Sequence, residues 1–221
     1  MRRVSVLKPE YGPTLLELLA PRSLAVKIAA GAVALALLVA AAAIALGSRA
    51  DETQLIVRKP ITFNFVYGPQ FHEVRQRGTL AALRHDGGGL FLDSFVVRDL
   101  TLPAYRGAVG GVLPVYIERY RSALARRYSD FEYVNEGRVR INNGIGYSLT
   151  FRARLGTRRL YGRHLLLVED DPDGRRHGVI VELESTPKAG TPRAEEIGNA
   201  GALKMPLRSF RFGTERKGGE A

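Results

Sequence analysis

The chain has 221 residues, with 33 Lys plus Arg against 22 Asp plus Glu and a formal net charge of +11. It has no Cys and no Trp, which excludes a disulfide scaffold, a thiol nucleophile, a thiolate zinc site, an iron–sulfur centre and lipid attachment through Cys. With one apolar N-terminal segment set aside, the remainder suffices for one ordinary domain.

That segment is Ile28–Leu46, IAAGAVALALLVAAAAIAL, without a charged or polar side chain. As a helix it spans about 28 Å, close to a bilayer core of about 30 Å. Only a helix satisfies its backbone in lipid. Ser48-Arg49-Ala50 offers a small-x-small cleavage pattern, so a cleaved signal peptide is the alternative. The apolar run is longer than the usual signal-peptide core and follows a long lead, which favours an uncleaved signal anchor. Arg2, Arg3, Lys8, Arg22 and Lys27 precede the run. This charge places the N-terminus in the cytoplasm and residues 48–221 outside. The expectation is a single-pass cell-membrane protein: 1–27 cytoplasmic, 28–46 transmembrane, 47–60 a tether, 61–213 the outer domain and 214–221 a tail.

In the outer domain the period changes to two. Ile61, Phe63, Phe65 and Tyr67 alternate with Thr62, Asn64 and Val66, which predicts a strand ended by Gly68-Pro69. Thr79–Arg84 reads as a second strand, 85–89 as a turn and Leu90–Leu100 as a third strand. Pro114 opens a helix to about Arg127, whose stripe Leu113, Tyr116, Ile117, Tyr120 and Leu124 is one buried face. Arg126 and Arg127 suit the negative end of its dipole.

A hairpin follows. Ile145, Tyr147, Leu149, Phe151, Ala153 and Leu155 alternate with polar or small residues, and Arg138–Ile141 precede them. A three-residue loop Asn142-Asn143-Gly144, with Gly144 left-handed, pairs Ile141 with Ile145 and Val139 with Tyr147. Leu160–Glu169 and Gly178–Ser185 read as the next strands, joined by a turn at 170–174. Pro187–Pro192 reads as a loop and Arg193–Asn199 as one or two helical turns. Leu207–Phe212 reads as a closing strand. The order predicts an α+β domain: an antiparallel sheet with one main helix, preceded by one transmembrane helix.

The succession of hairpin, helix, long hairpin with Asn143-Gly144, last hairpin and terminal Ser209-Phe210-Arg211-Phe212 resembles the PsbP-like α/β/α sandwich over residues 60–213. The resemblance also rests on Ile61–Pro69, Pro114–Tyr128 and Val139–Phe151. That sandwich occurs in photosystem accessory proteins, a nuclear import factor and actinobacterial envelope proteins. It implies a non-catalytic binding or assembly module and carries over no defined site. Envelope members are often anchored through a lipidated Cys, which this chain lacks.

No motif points to catalysis. Glu169-x-Asp171-x-Asp173-Gly174 resembles the opening of a calcium loop, but position 12 falls on Ile180 where a bidentate Glu is needed. His72, His85, His164 and His177 show no metal-ligand spacing. Ser94, Ser148 and Ser209 lie on predicted strands without a nucleophile elbow, and Ser209 reads as structural. Gly87-Gly88-Gly89 joins two strands and lacks the helix a phosphate cradle needs. No metal or cofactor is expected, and nucleic acid is not, because no recognition element is present.

Basic charge remains. Residues 48–221 carry 28 Lys plus Arg and 20 Asp plus Glu. In the predicted register Arg138, Arg140, Arg152 and Arg154 share the non-core face of the hairpin, with Arg158, Arg159 and Arg163 nearby. The expected partner is an envelope protein, an anionic lipid or a wall polymer; a solvated strand face is the alternative reading. The functional expectation is a non-catalytic binding or scaffolding module. The alternative is an envelope hydrolase or transferase, which requires convergent titratable groups in a pocket.

Overall fold

The computed structural model describes residues 32–33, 35–39, 52–102, 109–169 and 177–214. Contacts divide the chain into two units, one ending at Asp51 and one beginning at Glu52. In the first, residues 32–33 and 35–39 are helical and exposed. Among the described residues no helix is long and apolar enough to cross a membrane. The expected span at 28–46 lies largely outside the described residues, as does the turn at 170–174 that carries the calcium-like acidic run.

The second unit holds ten strands: β1 (Thr53–Val57), β2 (Phe63–Tyr67), β3 (His72–Glu73), β4 (Ala81–Gly87), β5 (Leu90–Thr101), β6 (Ser129–Ile141), β7 (Gly144–Leu155), β8 (Arg158–Glu169), β9 (His177–Ser185) and β10 (Arg211–Phe212). Helix α1 is Val109–Arg127 and the short helix α2 is Lys204–Ser209. One antiparallel sheet has seven strands in the order β3-β4-β5-β9-β8-β7-β6; the other has three, β1-β2-β10. This is the α+β architecture expected from the element order.

The large sheet is buried on both faces, and period two decides which side chain faces which layer. On β8, Leu165 and Leu167 face β2, α2 and β10, with Phe63, Phe65, Phe95, Leu207 and Phe210 in the same cluster. Leu166 and Val168 face α1, with Leu113, Ile117, Leu124, Leu149 and Phe151. Gly162 opposes Phe151 across the β7–β8 pair, and a Cβ there would lie 2.1 Å from the Phe151 ring. The α1 stripe is the one expected, but the helix starts five residues before Pro114.

Five expectations are corrected. The tether 47–60 contains β1, which pairs with β2 from Thr53↔Tyr67 to Val57↔Phe63. The closing segment is α2 followed by a two-residue strand, so Ser209 ends a helix. Its hydroxyl accepts the Val66 N–H at 2.8 Å and donates to the Met205 carbonyl at 2.8 Å, tying α2 to β2. The turn 85–89 shrinks to Gly88-Gly89, both at positive φ, and His85 joins β4. Strand β6 also begins nine residues earlier than Arg138, at Ser129.

The fifth correction concerns the hairpin register. The loop has two residues, Asn142-Asn143, and pairs Ile141 with Gly144, Arg140 with Ile145, Val139 with Gly146 and Arg138 with Tyr147. Positive φ falls on Asn142, at 51°, and not on Gly144. The reason lies outside the hairpin. The Asn142 side-chain amide donates to the Arg208 and Phe210 carbonyls at 2.9 and 2.6 Å. Asn143 exchanges two bonds with the Phe212 backbone, both at 3.0 Å. The turn is thus a docking point for the chain end, and Asn tolerates the left-handed conformation that docking requires.

Asn142→Ala should therefore lower stability by about 2–3 kcal/mol, since it removes two hydrogen bonds, one exposed and one part-buried, and strains the backbone. Asn142→Gly should cost clearly less, because it keeps the conformation. Urea denaturation of residues 52–221, which contain both cores, measures the pair; equal losses would show that φ at Asn142 is immaterial.

Candidate functional site

A helix of 19 residues cannot cover one whole face of a seven-stranded sheet. Helix α1 contacts β6 and β7 and leaves part of β5 and β9 open beyond its C-terminus. There a cleft of about 420 Å³ opens, floored by Ser94, Val96, Leu160, Glu182 and Glu184 and flanked by Arg127.

Alternation on β9 sends Glu182 and Glu184 to the α1 side and Val179, Val181 and Leu183 to the opposite core. Glu182 is 4 % exposed and is met by Arg98 Nε at 3.2 Å, Arg127 Nη1 at 3.6 Å and the Tyr120 hydroxyl at 3.3 Å. The Tyr128 hydroxyl donates to Glu184, and Arg127 Nη2 lies 3.9 Å from the same carboxylate. Behind them sits His164, fully buried, its Nδ1 sharing a hydrogen bond with Tyr120 at 2.8 Å. Its Nε2 has no hydrogen-bond partner, with Glu184 Oε1 at 4.0 Å. Phe151 meets the imidazole edge-on at 5.0 Å between centroids.

Burial pushes His164 down to about 4, so it is neutral at pH 7, with Arg127 and Arg98 adding to the effect and Glu182 opposing it. Burial alone would raise Glu182, but His164, Arg127 and Arg98 outweigh it and hold the carboxyl below its usual range. Burial does raise Glu184, against the pull of Tyr128 and Arg127. Both tyrosines are pushed up, first by burial and then by the carboxylates. The two carboxylates are therefore driven apart, the pattern that acid–base pairs use. Here, however, both carboxylates are already engaged, Glu182 by Arg98, Arg127 and Tyr120 and Glu184 by Tyr128 and Arg127. The network fastens the end of α1 to β9.

A second polar cluster lies on the opposite face. Asp93 on β5 is 1 % exposed and is held between Ser185 Oγ at 2.7 Å and His85 Nδ1 at 2.8 Å. With the carboxylate in the middle, His85 cannot take the Ser185 proton, so this is not a nucleophilic triad. Ser185 also reaches Thr191 Oγ1 at 3.3 Å. His72 lies 3.6 Å from Asp86, and His177 is exposed. Among the described residues no group of three or more His, Asp and Glu has the geometry to hold a metal.

The four candidate arginines are not brought together. In the observed register Arg138 and Arg140 lie opposite Tyr147 and Ile145, on the α1 side of the sheet. Arg152 and Arg154 point to the other side. Arg152 pairs with Glu132 at 3.1 Å and Glu195 at 3.3 Å, and Arg154 with Asp130 at 3.6 Å. Arg163 is likewise internal: its guanidinium donates to the Ile197 carbonyl at 3.1 Å, and burial lowers it. Glu182, Glu184 and Tyr128 were missed as site residues. Their one sequence signal is the alternation Ile180, Glu182, Glu184 against Val179, Val181, Leu183, which marks a strand face with polar work to do.

A buried neutral imidazole makes stability fall with acid. Unfolded, His164 binds a proton near pH 6.5; folded, only near 4. Between these values the unfolded state holds more protons, so lowering the pH from 7 to 4.5 should remove about 2–3 kcal/mol through this group. The raised Glu184 acts in the opposite direction, since the folded state takes its proton first. Comparison of the parent with His164→Gln by thermal melting isolates the imidazole: the variant should show a shallower acid loss. An identical pH profile in both would show that His164 does not titrate across unfolding.

No protein-family model matches the chain, and no curated protein does. Solved structures that resemble this chain include two of low identity. One is the cyanobacterial PsbP of Synechocystis sp. PCC 6803, at 14 % identity and TM-score 0.49, covering 74 % of this chain and 94 % of that one. The other is LpqN of Mycobacterium tuberculosis, described as involved in cell envelope biogenesis, at 7 % identity and TM-score 0.48, covering 74 % of this chain and 92 % of that one. No residue's role is carried over from either. The first of the two is a PsbP protein, and the element order of this sequence resembles that family.

Proposed function

We propose that this protein is a single-pass, membrane-anchored envelope protein whose outer domain is a non-catalytic binding module. The observation that carries the reading is how the titratable groups of the cleft are used. Glu182 and Glu184 are bound by Arg98, Arg127, Tyr120 and Tyr128, while His164 is neutral and wholly buried. Ser94 lies opposite Glu184 in the cleft, but among the described residues no serine or threonine hydroxyl hydrogen-bonds His164, Glu182 or Glu184. What the cleft leaves for a visitor is apolar surface and cations, which bind and do not turn over. The apolar run 28–46 and the five cations before it support the anchor and its orientation.

Two measurements test this. Protease added to intact, wall-stripped cells should remove a C-terminal tag and spare an N-terminal one; the reverse pattern would overturn the topology. Envelope extract passed over immobilised residues 52–221 should yield bound molecules whose masses match the input. Recovery of a cleaved or transferred product would make the domain an enzyme.

A further inference from the structure

Beside the cleft lies a second cavity of about 320 Å³, between the β4–β5 turn, the β7–β8 turn and the segment after β9. Phe91, Arg158 and Thr186 line both cavities, so the two adjoin. The outer one has apolar walls in Leu90, Phe91 and Pro187, and its remaining wall carries Arg158, Arg159 and Lys188. No acidic side chain lines it.

Of the other arginines around the cleft, Arg84 pairs with Asp86 at 2.8 Å, and Arg98 and Arg127 share Glu182, with Glu184 also beside Arg127. Arg75, in the wall of the first cavity, is like the three cations in having no carboxylate within ion-pair distance among the described residues. Among the described residues, no carboxylate stands within ion-pair distance of Arg158, Arg159 or Lys188. Leu90 and Leu155, beside them, are 41 % and 53 % exposed, large apolar side chains left in water at one end of the sheet. Thr186, in the wall common to both cavities, is 6 % exposed, and its Oγ1 has no hydrogen-bond partner. Three uncompensated cations, an apolar surface and an unsatisfied hydroxyl thus share one opening. Their combined volume falls in the range of small-molecule sites, about 300–1,000 Å³.

We propose that this opening is a binding site for an anionic amphiphile. Its phosphate or carboxylate is met by Arg158, Arg159 and Lys188, and its apolar chain lies along Leu90, Phe91 and Pro187 toward Leu155 and Leu160. Guanidinium groups suit such a head because their donors match its oxygens in pairs. The apolar chain supplies area that a bare anion lacks. This rests on the binding-module reading and names the ligand class of its cleft.

The test uses residues 52–221 and dodecyl phosphate below its micelle concentration, followed by calorimetry. Dodecyl maltoside, with the same chain, and inorganic phosphate, with the same head, are the comparators. Dodecyl phosphate should bind at least ten-fold tighter than either and weaken with salt. Arg158→Gln/Arg159→Gln/Lys188→Gln should lose at least ten-fold for dodecyl phosphate and little for the maltoside. All three residues lie at turns or strand ends on the surface, so circular dichroism and melting should match the parent. Arg138→Gln/Arg140→Gln removes two charges on β6, away from the cavity, and should bind as the parent does. Equal loss in both variants would make the effect one of net charge and overturn the site. Equal affinity for maltoside and phosphate ester would overturn the anionic head. A further arm uses phosphatidylglycerol vesicles. Binding to vesicles without binding to monomeric dodecyl phosphate would replace the cavity by a membrane-surface contact. Failure here leaves the mass comparison of captured envelope molecules untouched, so the two readings fail separately.

Discussion

The large sheet is apolar on both faces, and the rest of the domain follows from covering it. Leu165 and Leu167 on β8 need one layer, and Leu166 and Val168 need another. The chain answers on one side with α1 and on the other with β1, β2, β10 and α2. A sheet buried on both sides tolerates no slip of register, because a one-residue shift exchanges its two sets of side chains. The glycines enforce this: at Gly146 and Gly178 an added Cβ would lie about 2 Å from a backbone carbonyl of β8, so the strands approach there as nothing larger permits.

Coverage by α1 is incomplete, and its end is held by polar groups instead of apolar ones. Arg127 and Tyr128 reach Glu182 and Glu184, and Tyr120 reaches His164. Buried charges of this kind seldom add net stability over an apolar core of the same shape, but removing one partner is costly. They also fix direction, since only one placement of α1 satisfies all the partners. The same network engages the titratable groups of the cleft, Glu182, Glu184 and His164. Chemistry that is legible as acid–base potential is used here as a fastening.

The basic character of the domain is redistributed by the fold. Arginines that alternate along the sequence are divided between two faces, and Arg152 and Arg154 are paired with carboxylates at the surface. Arg158 and Arg159 at the β7–β8 turn and Lys188 after β9 stay uncompensated because a turn projects side chains beyond the sheet edge, where among the described residues no carboxylate opposes them. Net charge therefore says little about where a partner binds; the positions left over after internal pairing say more.

Much of the fold was readable in the residues. The alternation of β2, β5, β7, β8 and β9 and the stripe of α1 are local patterns, and each strand or helix writes its own period into the chain. The α+β class and the order of the main elements follow from those periods. Three things did not. The hairpin register rests on Asn142 and Asn143 holding carbonyls and amides near Phe210 and Phe212, which are more than sixty residues away. Strands β3 and β10 have two residues each, too few to show a period, and β1, TQLIV, does not alternate; all three exist because a neighbour pairs with them. The cleft and its carboxylate network join residues from α1, β5, β8 and β9. Within any one of those segments each residue fits an ordinary strand or helix face. Periodicity is written along the chain, whereas a site is a coincidence between distant segments, made when the two faces of the sheet are closed.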